Sequence, residues 1–82
     1  MARKQQEKSL QTQRELLDSA ERLFSAKGFV ATTVAEITAD AGYAKGNFYR
    51  HWQSKDEIML EIIARKMQSY RRMRDQAVRD AR

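Results

Sequence analysis

The sequence predicts an all-α domain, a bundle of three short helices followed by a longer fourth, and three observations carry that prediction. There is no proline and there are only three glycines in 82 residues, which leaves little punctuation for hairpins or sheets. Apolar residues recur at three- and four-residue steps, the spacing of one face of an α-helix. Capping-box patterns begin at Thr12, Thr33 and Ser54, and each marks a helix start independently of hydrophobic period. Their even spacing is not an internal repeat, because the residues between them do not match.

In order along the chain, residues 1–11 contain Arg3, Lys4 and Lys8 against Glu7 and almost nothing to bury. They read as a flexible basic arm, either a solvated terminus or an arm that follows a DNA backbone or enters a minor groove. Thr12-Gln13-Arg14-Glu15 should open the first helix, whose buried stripe is Leu16, Leu17, Ala20, Leu23 and Phe24. Asp18 and Arg22, four residues apart, are expected to pair on its exposed side. Gly28 is expected to terminate the helix in a left-handed conformation, with Phe29 and Val30 plugging the core beneath the connection. Thr33-Val34-Ala35-Glu36 opens a short second helix that buries Val34, Ile37 and Ala41 and ends at Gly42. Thr32 and Thr33 serve either as caps or as hydroxyls offered to a phosphate at a helix N-terminus.

A third helix is implied by Phe48 and Trp52, but its cap position falls on Tyr43 or Ala44, neither of which caps well. Two helices of about eight residues joined by a glycine turn form a helix-turn-helix candidate spanning, with the first helix, residues 12–53. Its second member divides into a packing side, Phe48 and Trp52, and an outer side of Lys45, Gly46, Asn47, Tyr49 and Arg50. Lysine can donate to guanine O6 or N7 or to a phosphate, and asparagine matches the donor and acceptor of adenine N6 and N7. Gly46 costs about 1 kcal/mol relative to alanine within a helix. Either DNA or a crossing helix of the protein must therefore approach its backbone. Lys55 is a cation in the first turn of a helix, the wrong sign for the dipole, and a bound phosphate would reverse that penalty.

Ser54-Lys55-Asp56-Glu57 opens the fourth helix, residues 54–82, with Ile58, Met59, Ile62, Ile63, Met67, Tyr70 and Met73 as its apolar side. Its later part is a basic amphipathic segment containing Arg65, Lys66, Arg71, Arg72, Arg74, Arg79 and Arg82 beside Ala77 and Val78. It either pairs with a second copy or frays.

The net charge of +5 attracts polyanions of any kind. No apolar run approaches the roughly 18 residues of a membrane span, and residues 1–10 do not form a signal-peptide pattern, so a cytoplasmic location is expected. Without cysteine and with one histidine there is no thiol nucleophile and no Cys- or His-rich metal site, so no cofactor or metal is assigned. Asp56 and Glu57 are accounted for by capping, and no nucleophile, base and orienter occur together, so no enzyme is expected.

From Leu16 through Ile62 the chain resembles the N-terminal DNA-binding domain of the TetR family of bacterial transcriptional repressors. The residues that carry the resemblance are Leu23-Phe24, Lys27-Gly28-Phe29, Thr32-Thr33-Val34, Glu36-Ile37, Ala41-Gly42, Lys45-Gly46-Asn47-Phe48-Tyr49, His51-Trp52 and Ser54-Lys55-Asp56-Glu57. The resemblance implies a homeodomain-like helix-turn-helix bundle, a fourth helix that links or dimerises, and a homodimer on a palindromic operator in double-stranded DNA. It implies base reading at Lys45, Gly46 and Asn47, to which Ala44 is added, and backbone contacts at Thr33, Tyr49, His51 and Lys55, to which Arg50 is added. Ala44 stands where the family often has serine, and Trp52 where phenylalanine is commoner. Family members continue into a larger helical domain that binds the effector ligand, so no small-molecule site is expected in these residues. The alternative is a protein- or membrane-interaction module built on the basic amphipathic C-terminal helix.

Overall fold

The computed structural model describes the backbone of residues 2–80 and the side chains of residues 9–74. Four helices follow in order: α1 (Ala2–Lys27), α2 (Val34–Ala41), α3 (Lys45–Tyr49) and α4 (Lys55–Asp80). Helix α1 packs on α2 and on α4, and α2 packs on α3. One cluster lies at their centre: Leu16, Leu17, Ala20 and Phe24 from α1, Ile37 from α2, Phe48 and Trp52, and Ile58 and Ile62 from α4. Leu23, Phe29, Val34, Ala41, Tyr43 and Met59 pack around it. A fully buried residue of these types contributes about 1.5–3 kcal/mol, whereas an exposed ion pair contributes well under about 1 kcal/mol. The apolar spacing therefore fixes the bundle, and the charges refine it.

The first helix does not start at Thr12. It starts at Ala2, and the described backbone of residues 2–11, expected to form a flexible arm, is helical. Those residues are mainly Ala, Arg, Lys, Gln, Glu and Leu, with no glycine or proline, so nothing halts a helix propagating toward the N-terminus. Thr12 is accordingly buried within α1, and Glu15 accepts from the Tyr43 hydroxyl at 2.9 Å.

Gly28 adopts φ 89° and its N–H reaches the Phe24 carbonyl at 2.9 Å, ending α1 as expected. Of the two residues expected beneath the connection, Phe29 packs inward, its ring 5.2 Å from that of Phe24. Val30 does not: it is 90% exposed. The Thr32 N–H bonds back to the Phe29 carbonyl at 3.3 Å, so Val30 occupies a central position of a turn and is directed to solvent.

The ion pairs also differ from the local expectation. Arg22 bonds Asp40 on α2, while Asp18 bonds Arg65 of α4 at 3.1 Å. Arg65 and Lys66 each reach Glu21 at 3.1 Å, so these two cations of the basic segment lie against α1. Beyond Ile62 the apolar residues of α4 emerge, with Ile63, Met67, Tyr70 and Met73 all exposed. Ala77, Val78, Arg79 and Arg82 lie outside the residues whose side chains are described. At the start of α4 the third capping box is shifted by one residue. Ser54 Oγ accepts from Glu57 N–H at 3.4 Å, but Glu57 accepts in return from the Gln53 N–H at 2.6 Å.

Candidate nucleic-acid interface

The α2–α3 segment is built by local chemistry. Thr33 caps α2 with the full capping box: its hydroxyl accepts from Glu36 N–H at 3.1 Å, and Glu36 accepts from Thr33 N–H at 3.1 Å. Lys27 adds a hydrogen bond to the same carboxylate. First Lys27 and then the Thr33 N–H hold the Glu36 carboxyl below the usual carboxylate range. At the other end, Gly42 has φ 85°, its N–H reaching Ala39 O at 3.2 Å while Tyr43 N–H reaches Thr38 O at 2.8 Å. This is the paired closure that a left-handed glycine permits. The chain then turns directly into α3.

Helix α3 is five residues long, shorter than the eight expected, and ends in an Arg50–His51 turn. Ala44 is its N-cap and supplies no side-chain bond, as its side-chain chemistry requires. Phe48 is fully buried and Trp52, just beyond the helix, is nearly so; their ring centroids are 5.4 Å apart. The Trp52 indole donates to Glu61 at 3.1 Å. Ala44, Lys45, Gly46 and Arg50 are exposed and Asn47 is half-buried. Tyr49 rests the edge of its ring against Phe48 at 5.3 Å while half of its surface remains open. From Ala44 to Arg50 this surface carries two cations and no acid.

Gly46 has a negative φ, and a Cβ built on it meets nothing within 4 Å. Neither backbone strain nor a crossing helix within the protein accounts for it, which removes one of the two readings that the sequence left open.

The residues expected at the DNA backbone are less uniform. Thr32 is excluded: it is fully buried, and its hydroxyl donates to the Gly28 carbonyl at 2.7 Å. Thr33 is exposed, but Glu36 engages both its N–H and its hydroxyl. Lys55 is half-buried, and its Nζ donates to the Phe29 carbonyl at 2.8 Å while lying 4.4 Å from the centroid of that residue's ring. This internal partner accounts for a cation in the first turn of α4 without an external anion, and it leaves two ammonium protons free. His51 is half-buried, its Nδ1 2.9 Å from Gln13 Nε2 and its ring edge-on to Trp52.

Gln13 and Glu15 are functional candidates that sequence reasoning missed. They sit two apart on α1 and bond to the residues flanking α3, His51 after it and Tyr43 before it. Separations of 38 and 28 residues leave no periodic signal that would have revealed them. The described residues contain no cluster of three or more potential metal-ligating side chains and no helix long and apolar enough to cross a membrane. Two grooves lie between α1 and α4, and Glu21 and Lys66 line both of them.

The family described as "Bacterial regulatory proteins, tetR family" matches residues 16–62, more than half of the chain. An uncharacterized HTH-type transcriptional regulator, YerO of Bacillus subtilis, is 44% identical over 45 residues, covering 55% of this chain and 16% of the relative. The HTH-type transcriptional regulator AcrR of Shigella flexneri is 39% identical over 62 residues, 76% of this chain and 29% of the relative. The HTH-type transcriptional repressor KstR2 of Rhodococcus jostii is 45% identical over 49 residues, 60% of this chain and 24% of the relative. The chain thus spans less than a third of the length of these relatives. No solved structure gives a significant match. With its four helices, its capped helix-turn-helix and this match, the chain belongs to the tetR family of bacterial regulatory proteins.

Proposed function

We propose that the chain is the operator-binding part of a transcriptional repressor that binds a palindromic site in double-stranded DNA as a homodimer. The observation that carries this reading is α3: Phe48 anchors it to the core while Lys45, Gly46 and Asn47 stand on its outer side, and Gly46 has open space where a side chain would be. Lys45 and Asn47 carry the donors and acceptors that base edges in the major groove require, and a glycine between them lets the helix backbone approach the DNA. Ala44 opens the same helix and meets the bases by apolar contact. Tyr49, Arg50, His51 and Lys55 supply donors to phosphates on either side, and Thr33 joins them by turning its hydroxyl from Glu36. That one of the similar proteins is named a repressor supports repression as the outcome of binding. The effector belongs to residues outside this chain, and the site of action is the bacterial cytoplasm, at the nucleoid.

Selection of bound sequences from a random DNA pool tests this directly. The expected result is a palindromic consensus with half-sites related by about one helical turn, roughly 34–36 Å. No enrichment at low salt would overturn the reading, and enrichment of a single asymmetric half-site would overturn the homodimer.

A further inference from the structure

Among the groups at the edge of α3, His51 is held by a residue from a different helix. Gln13 Nε2 on α1 lies 2.9 Å from His51 Nδ1. With the amide nitrogen of Gln13 facing the ring, Nδ1 accepts and the proton of the neutral ring is on Nε2. Nε2 has no hydrogen-bond partner among the described residues, and none of their buried side-chain nitrogen or oxygen atoms lacks one, so Nε2 is open to solvent. Trp52, edge-on to the imidazole with centroids 5.5 Å apart and itself buried, fixes the other side of the ring. The two contacts leave His51 with one orientation and one outward N–H.

We infer that Gln13 is a positioning residue for DNA binding: its amide selects the His51 tautomer that presents Nε2–H to a backbone phosphate. The inference rests on the proposed role of His51 at the DNA backbone and adds to it a residue that itself need not touch DNA. The same pairing of a ring nitrogen with a fixed partner orients histidines in other binding sites, because the hydrogen bond at one nitrogen determines what the other can do. Gln13 also links recognition to α1. Any shift of α1 relative to α3 moves the side of the ring that accepts from Gln13 and so redirects the opposite N–H.

Nitrogen-15 spectra of the free 82-residue chain should give His51 Nε2 as the protonated nitrogen and Nδ1 as the unprotonated one at neutral pH. Finding the proton on Nδ1 would overturn the inference. In DNA binding, His51→Ala should lower affinity about tenfold or more, the effect of a hydrogen bond to a charged acceptor. Gln13→Leu should lower it about three- to tenfold in the wild-type background and have almost no effect in the His51→Ala background. An equal loss in both backgrounds would make Gln13 a general structural residue and overturn the inference while leaving His51 at the DNA. No loss from His51→Ala would instead remove the underlying phosphate contact. Circular dichroism of each variant keeps loss of fold from being mistaken for loss of the contact.

Discussion

Gly46 meets opposite demands in the free protein and in a complex with DNA. In the free protein its Cβ position is open space and its φ is ordinary, so Gly46→Ala should stabilise the fold by about 0.5–1 kcal/mol through the lower backbone entropy of the unfolded chain. Against DNA the same methyl group should hold the helix off the bases and lower affinity by about tenfold or more, the equivalent of one displaced contact. Urea unfolding and DNA titration of the one variant test both signs; a loss of stability would contradict the open space around Gly46. Lys45→Ala and Asn47→Ala should each cost about 1–3 kcal/mol of binding and relax preference at the base pair concerned. If they lowered only stability, neither would be a base reader. Lys55 has two separable roles. Lys55→Met keeps the aliphatic stem but removes the bond to the Phe29 carbonyl, and should cost about 1.5 kcal/mol of stability. It should also reduce the slope of log affinity against log salt by about 0.9. An unchanged slope would restrict Lys55 to its internal role.

At the scale of the element, α2 depends on its first turn. Thr33→Ala should cost about 1 kcal/mol, because an orphan N–H loses its acceptor. The partner of Thr33 in the cap, Glu36, is held below the usual carboxylate range by Lys27 and the Thr33 N–H. A carboxyl depressed in the folded state contributes stability that is fully present above its unfolded pKa and is lost as pH falls through the folded value. The acid limb of stability should therefore be shallower in Glu36→Gln, as measured by urea unfolding from neutral to acid pH; an identical limb would exclude this linkage. The helix starts at Thr33 and Ser54 were legible because the cap chemistry is local. The pattern at Thr12 misled because a capping box marks a beginning only where the preceding residues cannot continue the helix, and here they can. Phe48 and Trp52 were legible as core from their spacing, although Trp52 proved to lie beyond α3. What was not legible is tertiary: Gln13 bonding His51, Lys55 bonding Phe29 and Arg65 bonding Asp18 join residues far apart in the chain, and no local propensity encodes them. The outer side of α3 could be read from the sequence, but the α1 residues that brace it could not.

At the scale of the whole molecule, α4 joins two unlike environments within two turns. Ile58 and Ile62 are 0% and 3% exposed in the core, while the adjacent Ile63 is 46% exposed and Met67, further along, 54%. The Arg65 bonds to Asp18 and Glu21 and the Lys66 bond to Glu21 hold this transition against α1. Exposed pairs of this kind contribute about 0–1 kcal/mol each, so they orient the helix more than they stabilise the fold. Ile62→Ala should therefore cost about 2–5 kcal/mol by opening a cavity between α1 and α4. Ile63→Ala and Met67→Ser should change the unfolding free energy of the monomer by no more than about 0.5 kcal/mol. Unfolding at low protein concentration, where association is absent, gives the intrinsic values, and comparable losses at Ile62 and Ile63 would contradict the two-sided arrangement of α4. Repeating the series at high concentration separates self-association from folding. A dimer formed across the outer stripe would make Ile63→Ala and Met67→Ser destabilising only there, because dimerisation adds stability by mass action to the species that pairs. A dimer formed elsewhere would leave both variants neutral at every concentration.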